Sequence, residues 1–217
     1  MANRKEQALK ILLVDDHAVV RAGYRRLLEN SSLNISVVEA GSGEHGYACY
    51  AVQTFDLVIM DLSLPGIGGL EAIRRITQRD RCARVLVFSI HDESVFIERA
   101  LEAGARGYIS KSSAAEVLVE AVDKVVRGEI YLGPDIAECL TGTGRAQQRA
   151  VFEVLSPREF DIFRLLAEGR TVSEIALLLS LSAKTIANYN TQIRNKLGVA
   201  SAAELARLAI RHGVMPV

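Results

Sequence analysis

Four short apolar runs in the first half of the chain each stop at a residue able to do chemistry. Ile11-Leu12-Leu13-Val14 stops at Asp15-Asp16, and Leu57-Val58-Ile59-Met60 at Asp61. Val85-Leu86-Val87-Phe88 stops at Ser89, and Gly107-Tyr108-Ile109-Ser110 at Lys111. Runs that are apolar throughout suit strands buried on both faces, as in a parallel sheet covered by helices. In open α/β sheets, ligands bind at the carboxyl ends of the strands. Acids gathered there repel one another unless a hard cation joins them. Mg2+ meets that need, because it takes carboxylate, carbonyl, water and phosphate oxygens. The pattern points to a site that accepts a phosphoryl group.

Amphipathic stretches alternate with these runs up to about Arg127. His17–Glu29 places Val20, Tyr24, Leu27 and Leu28 at helical spacing. Ile35–Ala40 reads as a further strand and Glu44–Gln53 as a helix. Gly66 and Gly68-Gly69 mark a loop before a helix at Leu70–Gln78. Ser94–Ala103 and Ala114–Arg127 complete the series, stopped by Gly104 and Gly128. Five βα units of this kind predict a five-stranded doubly wound parallel sheet, flavodoxin-like, with right-handed crossovers.

The polar, glycine-containing stretch Gly133–Val154 reads as a connector. From Leu155 onward the periodicity is purely helical. Ser156-Pro157-Arg158-Glu159 combines an N-cap, a proline at the first helical position and a glutamate three after the cap. Helices are expected from there to Gly169, over Val172–Leu179, over Ala183–Leu197 and over Ala202–His212. Leu181-Ser182 forms the turn between the second and third, which is the order a helix-turn-helix needs.

Charge separates the two parts. The chain has 26 basic and 26 acidic residues, yet residues 155–217 hold 8 Lys+Arg against 5 Asp+Glu. Towards the end, Lys184, Arg194, Lys196, Arg207 and Arg211 face the single acid Glu204, which favours an anionic partner. Cys49, Cys82 and Cys139 fit neither a disulfide framework nor a zinc pattern, and read as thiols in a reducing cytosol. No apolar run is long enough to cross a bilayer, and the polar start Met1–Glu6 lacks a signal-peptide core, so a cytoplasmic location without membrane contact is expected.

Residues 8–130 resemble the receiver domain of bacterial response regulators, on Asp15-Asp16, Asp61, Ser89 and Lys111 in their strand-end positions. The resemblance implies that Asp61 is the phosphoacceptor. It implies Mg2+ held directly by Asp16, Asp61 and the Ser63 carbonyl, with Asp15 acting through water. Lys111 would pair with Asp61 and then hold a phosphoryl oxygen, Ser89 would bond another, and Tyr108 would be the switch aromatic. Ile90 stands where many receivers carry a small residue. His91 and Ser63 are expected to tune the lifetime of the phosphoryl group by controlling water access.

Residues 154–217 resemble the LuxR-type helix-turn-helix of the NarL/FixJ class. The matching stretches include Leu155–Glu159, Leu166–Gly169, Glu174-Ile175-Ala176, Leu181–Ile186 and Ile193–Val199. With Ile186, Ile193 and Leu197 facing inward, Asn188 and Thr191 are expected at base edges, since Asn bonds adenine bidentately. Ala187 is placed to touch a thymine methyl. Lys184, Thr185, Arg194 and Lys196 are expected on phosphates, which position without reading sequence. Tyr189 replaces the histidine common in the family and keeps a phosphate or packing role.

The whole implies a DNA-binding transcriptional regulator rather than an enzyme, at most hydrolysing its own acyl phosphate slowly. Residues 131–153 would link the two parts. A sensor histidine kinase would phosphorylate Asp61, and the active form would bind promoter DNA as a homodimer. Two rival readings fit parts of the same pattern. A phosphohydrolase with an aspartyl nucleophile would present Asp-x-Asp after its first strand, where this chain has adjacent acids. A DNA-binding protein whose receiver no longer needs phosphate would not require complete acceptor chemistry.

Overall fold

The computed structural model describes residues 8–113, 115–141, 151–152, 154–179 and 181–215. The polar start Met1–Glu6, Ala114 at the expected head of a helix and residues 142–149 of the connector lie outside the described residues.

The strands are β1 (Leu9–Val14), β2 (Ile35–Ala40), β3 (Leu57–Met60), β4 (Val85–Ser89), β5 (Gly107–Ser110) and β6 (Tyr131–Leu132). They form one parallel sheet in the order β2-β1-β3-β4-β5-β6. Five strands were expected, and the sixth corrects that number. It pairs only Tyr131 and Leu132 with Gly107 and Tyr108, too short a run to show alternation in sequence. Helices α1 (Ala18–Glu29), α2 (Gly43–Val52), α3 (Gly68–Arg79), α4 (Ser94–Glu102) and α5 (Ala115–Val126) cover the sheet. The stretch expected as a connector, with room for a helical piece, begins with β6, which joins the sheet, and then forms α6 (Pro134–Thr141), whose Ile136 is fully buried.

The chain runs outward from β1 to β2, then crosses to β3 on the other side of β1. The switch point therefore falls between β1 and β3, where a crevice opens at the strand ends. The register pairs Val14 with Met60, which brings Asp15 and Asp61 level at that crevice. Alternate strand residues face opposite sides. Leu12, Val14, Val58 and Met60 face one core, whereas Ile11, Leu13 and Ile59 face another with Leu28 of α1 and Leu118 and Val122 of α5.

Among the described residues from 154 on, four helices follow: α7 (Pro157–Ala167), α8 (Val172–Leu178), α9 (Ala183–Leu197) and α10 (Ala202–Arg211). Both α7 and α8 open with complete capping boxes, Ser156 with Glu159 and Thr171 with Glu174. Ser182 and Ser201 cap α9 and α10. α9 ends at Gly198, whose φ of 67° lies in the left-handed region that glycine enters without strain.

The helical part docks on the α/β part through α7, which lies against α3 and α4. The Phe96 and Phe160 rings meet edge to face at 5.4 Å, and the Arg99 guanidinium lies 4.2 Å above Phe160. One apolar cluster consequently runs from Val14 and Met60 through Phe96 to Phe160, Ile186 and Leu205.

Candidate functional site

Asp15, Asp61 and Ser89 are all buried, at the ends of β1, β3 and β4. Lys111 reaches across from the end of β5 and donates to both acids, 2.6 Å to Asp15 Oδ2 and 2.7 Å to Asp61 Oδ2. The Ser63 amide donates to Asp61 Oδ1 at 3.2 Å. Two carboxylates thus share one ammonium, leaving a net negative charge in a desolvated crevice. Burial pushes the Asp61 carboxyl above its usual range, against the pull of Lys111 and the Ser63 amide, with Asp15 adding to the rise. Burial alone would lower the Lys111 ammonium, but Asp61 and Asp15 hold it above its ordinary value.

Asp16 takes a different place from Asp15. It is exposed and lies 2.8 Å from His17 Nδ1, while the His17 amide donates to Asp15 Oδ1 at 2.8 Å. The ligand atoms of Asp15, Asp16 and His17 nevertheless lie within 4.8 Å of one another. An oxygen-rich pocket short of positive charge is what a hard divalent cation fits.

His91 organises the rim. Its Nε2 lies 2.9 Å from Ser63 Oγ, its amide donates to Ser89 Oγ at 3.3 Å, and its carbonyl accepts the Tyr108 hydroxyl at 2.6 Å. Tyr108 is fully buried, so its ring points inward here. The His91 ring stacks on Phe96 at 4.3 Å. Burial, then Arg164 and Lys111, draw His91 down to about 4, so it is neutral at physiological pH. Ile90, by contrast, is 66% exposed.

On α9, Lys184, Ala187, Asn188 and Thr191 are exposed on one face, and docking leaves that face bare. Other expected contacts are already engaged. Lys196 donates to Glu159 Oε2 at 2.7 Å, Arg194 to the Ala200 carbonyl at 3.1 Å, and the hydroxyls of Thr185 and Ser182 lie 2.8 Å apart. Tyr189 packs partly against the core.

Residues 11–123 match the response regulator receiver domain, and residues 153–209 match the bacterial regulatory proteins of the luxR family. The chain belongs to the two-component response regulators with a LuxR-type DNA-binding domain. It is 42% identical over 210 residues to the transcriptional activator protein ExaE of Pseudomonas putida, covering 95% of this chain and 98% of that one. It is 38% identical over 208 residues to the response regulator UvrY of Escherichia coli, covering 95% of each. RcsB from Salmonella enterica serovar Typhimurium, solved bound to promoter rprA with the phosphomimetic BeF3-, superposes with a TM-score of 0.64 at 26% identity. That match covers 92% of this chain and 98% of RcsB. Receiver domains bind Mg2+ at an acidic pocket, and this response regulator carries such a cluster. Among the described residues, no helix is long and apolar enough to cross a membrane.

Some functional contacts of this response regulator carry no signal in the sequence. Arg158 of α7 donates to the Gly66 carbonyl, and Arg99 donates to the carbonyls of Phe152 and Leu155. Both join parts more than fifty positions apart, and neither arginine differs in pattern from its solvated neighbours.

Proposed function

We propose that Asp61 accepts a phosphoryl group from a sensor histidine kinase and that this changes how two copies of the chain grip promoter DNA. The supporting observation is the buried Asp61 carboxylate at the switch-point crevice, aligned by Lys111 and the Ser63 amide. In the transfer, an Asp61 oxygen forms a bond to phosphorus as the bond to the donor imidazole breaks, and the imidazole leaves with its electron pair and takes a proton. Asp15, Asp16, Asp61 and the Ser63 carbonyl would hold Mg2+, which offsets charge on the transferring group. Lys111 then holds one phosphoryl oxygen and Ser89 Oγ another.

Ser89 Oγ now accepts the His91 amide, and the His91 carbonyl now accepts Tyr108. Drawing the Ser89 hydroxyl to a phosphoryl oxygen loosens that chain and frees the Tyr108 ring to change position. His91 stacks on Phe96, and Phe96 meets Phe160, so the change reaches α7. Because the α9 face is bare while docked, phosphorylation need not uncover it. It acts on the placement and pairing of two DNA-binding domains, since one module contacts few base pairs. Asn188, Thr191 and Ala187 read bases in this account. Lys184 and Thr185 contact phosphates, with Tyr189, Arg194 and Lys196 at the margin. The division into a receiver, a connector and a DNA-binding domain over 154–217 belongs to the same reading, with β6 and α6 on the receiver side, as does a cytoplasmic location.

The test is incubation with acetyl phosphate and Mg2+, then mass spectrometry and promoter binding. One phosphoryl group on Asp61 and a changed operator affinity support the reading. An unlabelled protein, or Asp61→Asn with an unaltered phosphate response, overturns it.

A further inference from the structure

Asp161 stands on α7 where that helix docks on the receiver. The residue is half-buried, but its Oδ2 is sealed from solvent and has no hydrogen-bond partner. That oxygen lies against Gly68, the first residue of α3, so closely that a Cβ there would come within 2.2 Å of it. Gly68 has a φ of 70°, a conformation that keeps the position open for a residue without a side chain. The contact joins the two domains and exists only while they are docked.

Charged groups face Asp161 from each element packed around it, and each has a bonded partner elsewhere. On α7, Arg158 donates to the Gly66 and Leu179 carbonyls and Arg164 pairs with Glu168. On α4, Arg99 donates to the Phe152 and Leu155 carbonyls. On α3, Glu71 is held by Arg74 and Arg75. On α2, Glu44 accepts the Ile67 amide beside the same loop.

A charged carboxylate with one oxygen cut off from water and without a partner is costly, whereas a protonated carboxyl is less so. Burial pushes the Asp161 group up to about 7, with Arg164, Arg158 and Arg99 pulling the other way. We propose that docking of α7 on the receiver is proton-linked through Asp161, the docked form holding the neutral carboxyl and the separated form the carboxylate. Docking then takes up a proton between the ordinary carboxylate range and neutrality. It strengthens as pH falls through 7 and weakens as pH rises, which couples this regulator's domain arrangement to cytosolic acidity. The inference needs the docked arrangement alone and no phosphoryl chemistry, so it stands or falls separately from the proposed function.

The first measurement is a carboxyl 13C titration of the full, unphosphorylated chain, with Asp161 assigned through its backbone. A midpoint near 7 is expected, and a midpoint in the usual carboxylate range overturns the proposal. The second reads docking by energy transfer between dyes at positions 52 and 207, with Cys49, Cys82 and Cys139 replaced by Ser. From pH 7.5 to 6.0 the ratio of docked to separated protein should rise about eight-fold. Asp161→Asn, which keeps the shape without the charge, should dock more tightly at neutral pH and lose the dependence. Glu93, whose buried Oε2 also lacks a hydrogen-bond partner and lies 3.8 Å from His91 Nδ1, provides the control: Glu93→Gln should keep it. A flat wild-type profile, or a pH-dependent Asp161→Asn variant, overturns the proposal.

Discussion

Ser63 Oγ and His91 Nε2 lie 2.9 Å apart and tie the loop after β3 to the loop after β4. The tie spans the mouth of the phosphoryl crevice, because Ser63 follows Asp61 by two positions and His91 follows Ser89 by two. His91 is neutral, so one ring nitrogen carries a proton and the pair bonds in either tautomer.

Breaking this tie should shorten the life of the acyl phosphate. On the proposed reading, Ser63 and His91 together control water access to a phosphoryl group on Asp61. One such hydrogen bond is worth about 1 kcal/mol, a factor of about five in rate. Ser63→Ala and His91→Ala should each speed hydrolysis by about that factor. The double variant should add little more, since both singles remove the same interaction. The check is the decay of phosphorylated protein after the donor is removed, and equal rates in wild type and double variant would refute the idea.

Asp15→Asn should stabilise the metal-free protein. Asp15 and Asp61 share Lys111, and like charge from Asp15 helps hold the Asp61 carboxyl up. An amide keeps its one acceptor for Lys111 and removes the repulsion but gives up the bond from the His17 amide, so the net gain is at most about 1 kcal/mol. Thermal unfolding in EDTA should show a higher Tm for the variant, and Mg2+ should stabilise it less than it does wild type. The sign with pH follows from the raised Asp61 group. The folded state binds more protons than the unfolded state just above the usual carboxylate range, so metal-free stability rises as pH falls through that window. In Asp15→Asn that slope should flatten.

The strand ends were legible in sequence because the runs are short, wholly apolar and closed by charged or hydroxyl residues. Asp15, Asp61, Ser89 and Lys111 converge as the alternation of strands and helices implies. The difference between Asp15 and Asp16 was not legible. Adjacent acids point to opposite sides of a strand end, and only the Val14–Met60 register decides which one faces Lys111. β6 is not legible in the sequence, because two residues show no period. The docking of α7 is not legible either, because Phe160 and Phe163 satisfy a helical core pattern whether or not a second domain covers them. Arg158, Asp161 and Arg99 carry no distinguishing pattern in the sequence. Their roles come from contacts across the domain boundary, which local spacing does not encode.

The basic residues of α9 should separate into two classes. Lys184 is exposed at the start of the helix, and Lys184→Ala should weaken binding on all sequences and lower the salt dependence by about one counterion. Asn188→Ala should relax specificity at one base position, at a cost of about 1–3 kcal/mol on the preferred operator. Lys196 instead pairs with Glu159, which also completes the Ser156 capping box. Lys196→Ala should therefore lower stability by up to about 1 kcal/mol, the partly exposed lysine limiting the loss. Its DNA affinity, measured at a temperature where the variant is folded, should change less than that of Lys184→Ala. Footprinting and urea unfolding on the three variants test the division.

Gly69→Ala should disable the phosphoryl site without touching any of its polar side chains. A Cβ at position 69 would lie 2.0 Å from the Asp61 carbonyl oxygen and 2.6 Å from the Leu62 Cα, both backbone atoms that cannot swing away. The Gly69 amide also donates to the Leu62 carbonyl at 3.1 Å, which pins the first turn of α3 to the strand end. Relief requires α3 or the end of β3 to shift, and either moves Asp61 off Lys111. The cost should exceed about 2 kcal/mol, as for other overpacked buried sites. Labelling with acetyl phosphate should fall at least ten-fold at a temperature where circular dichroism shows the variant folded. Gly68→Ala meets only the Asp161 carboxyl in addition to its own positive φ. It should loosen domain docking while leaving Asp61 able to accept phosphate, so the two neighbouring substitutions separate the receiver's chemistry from its hold on the DNA-binding domain.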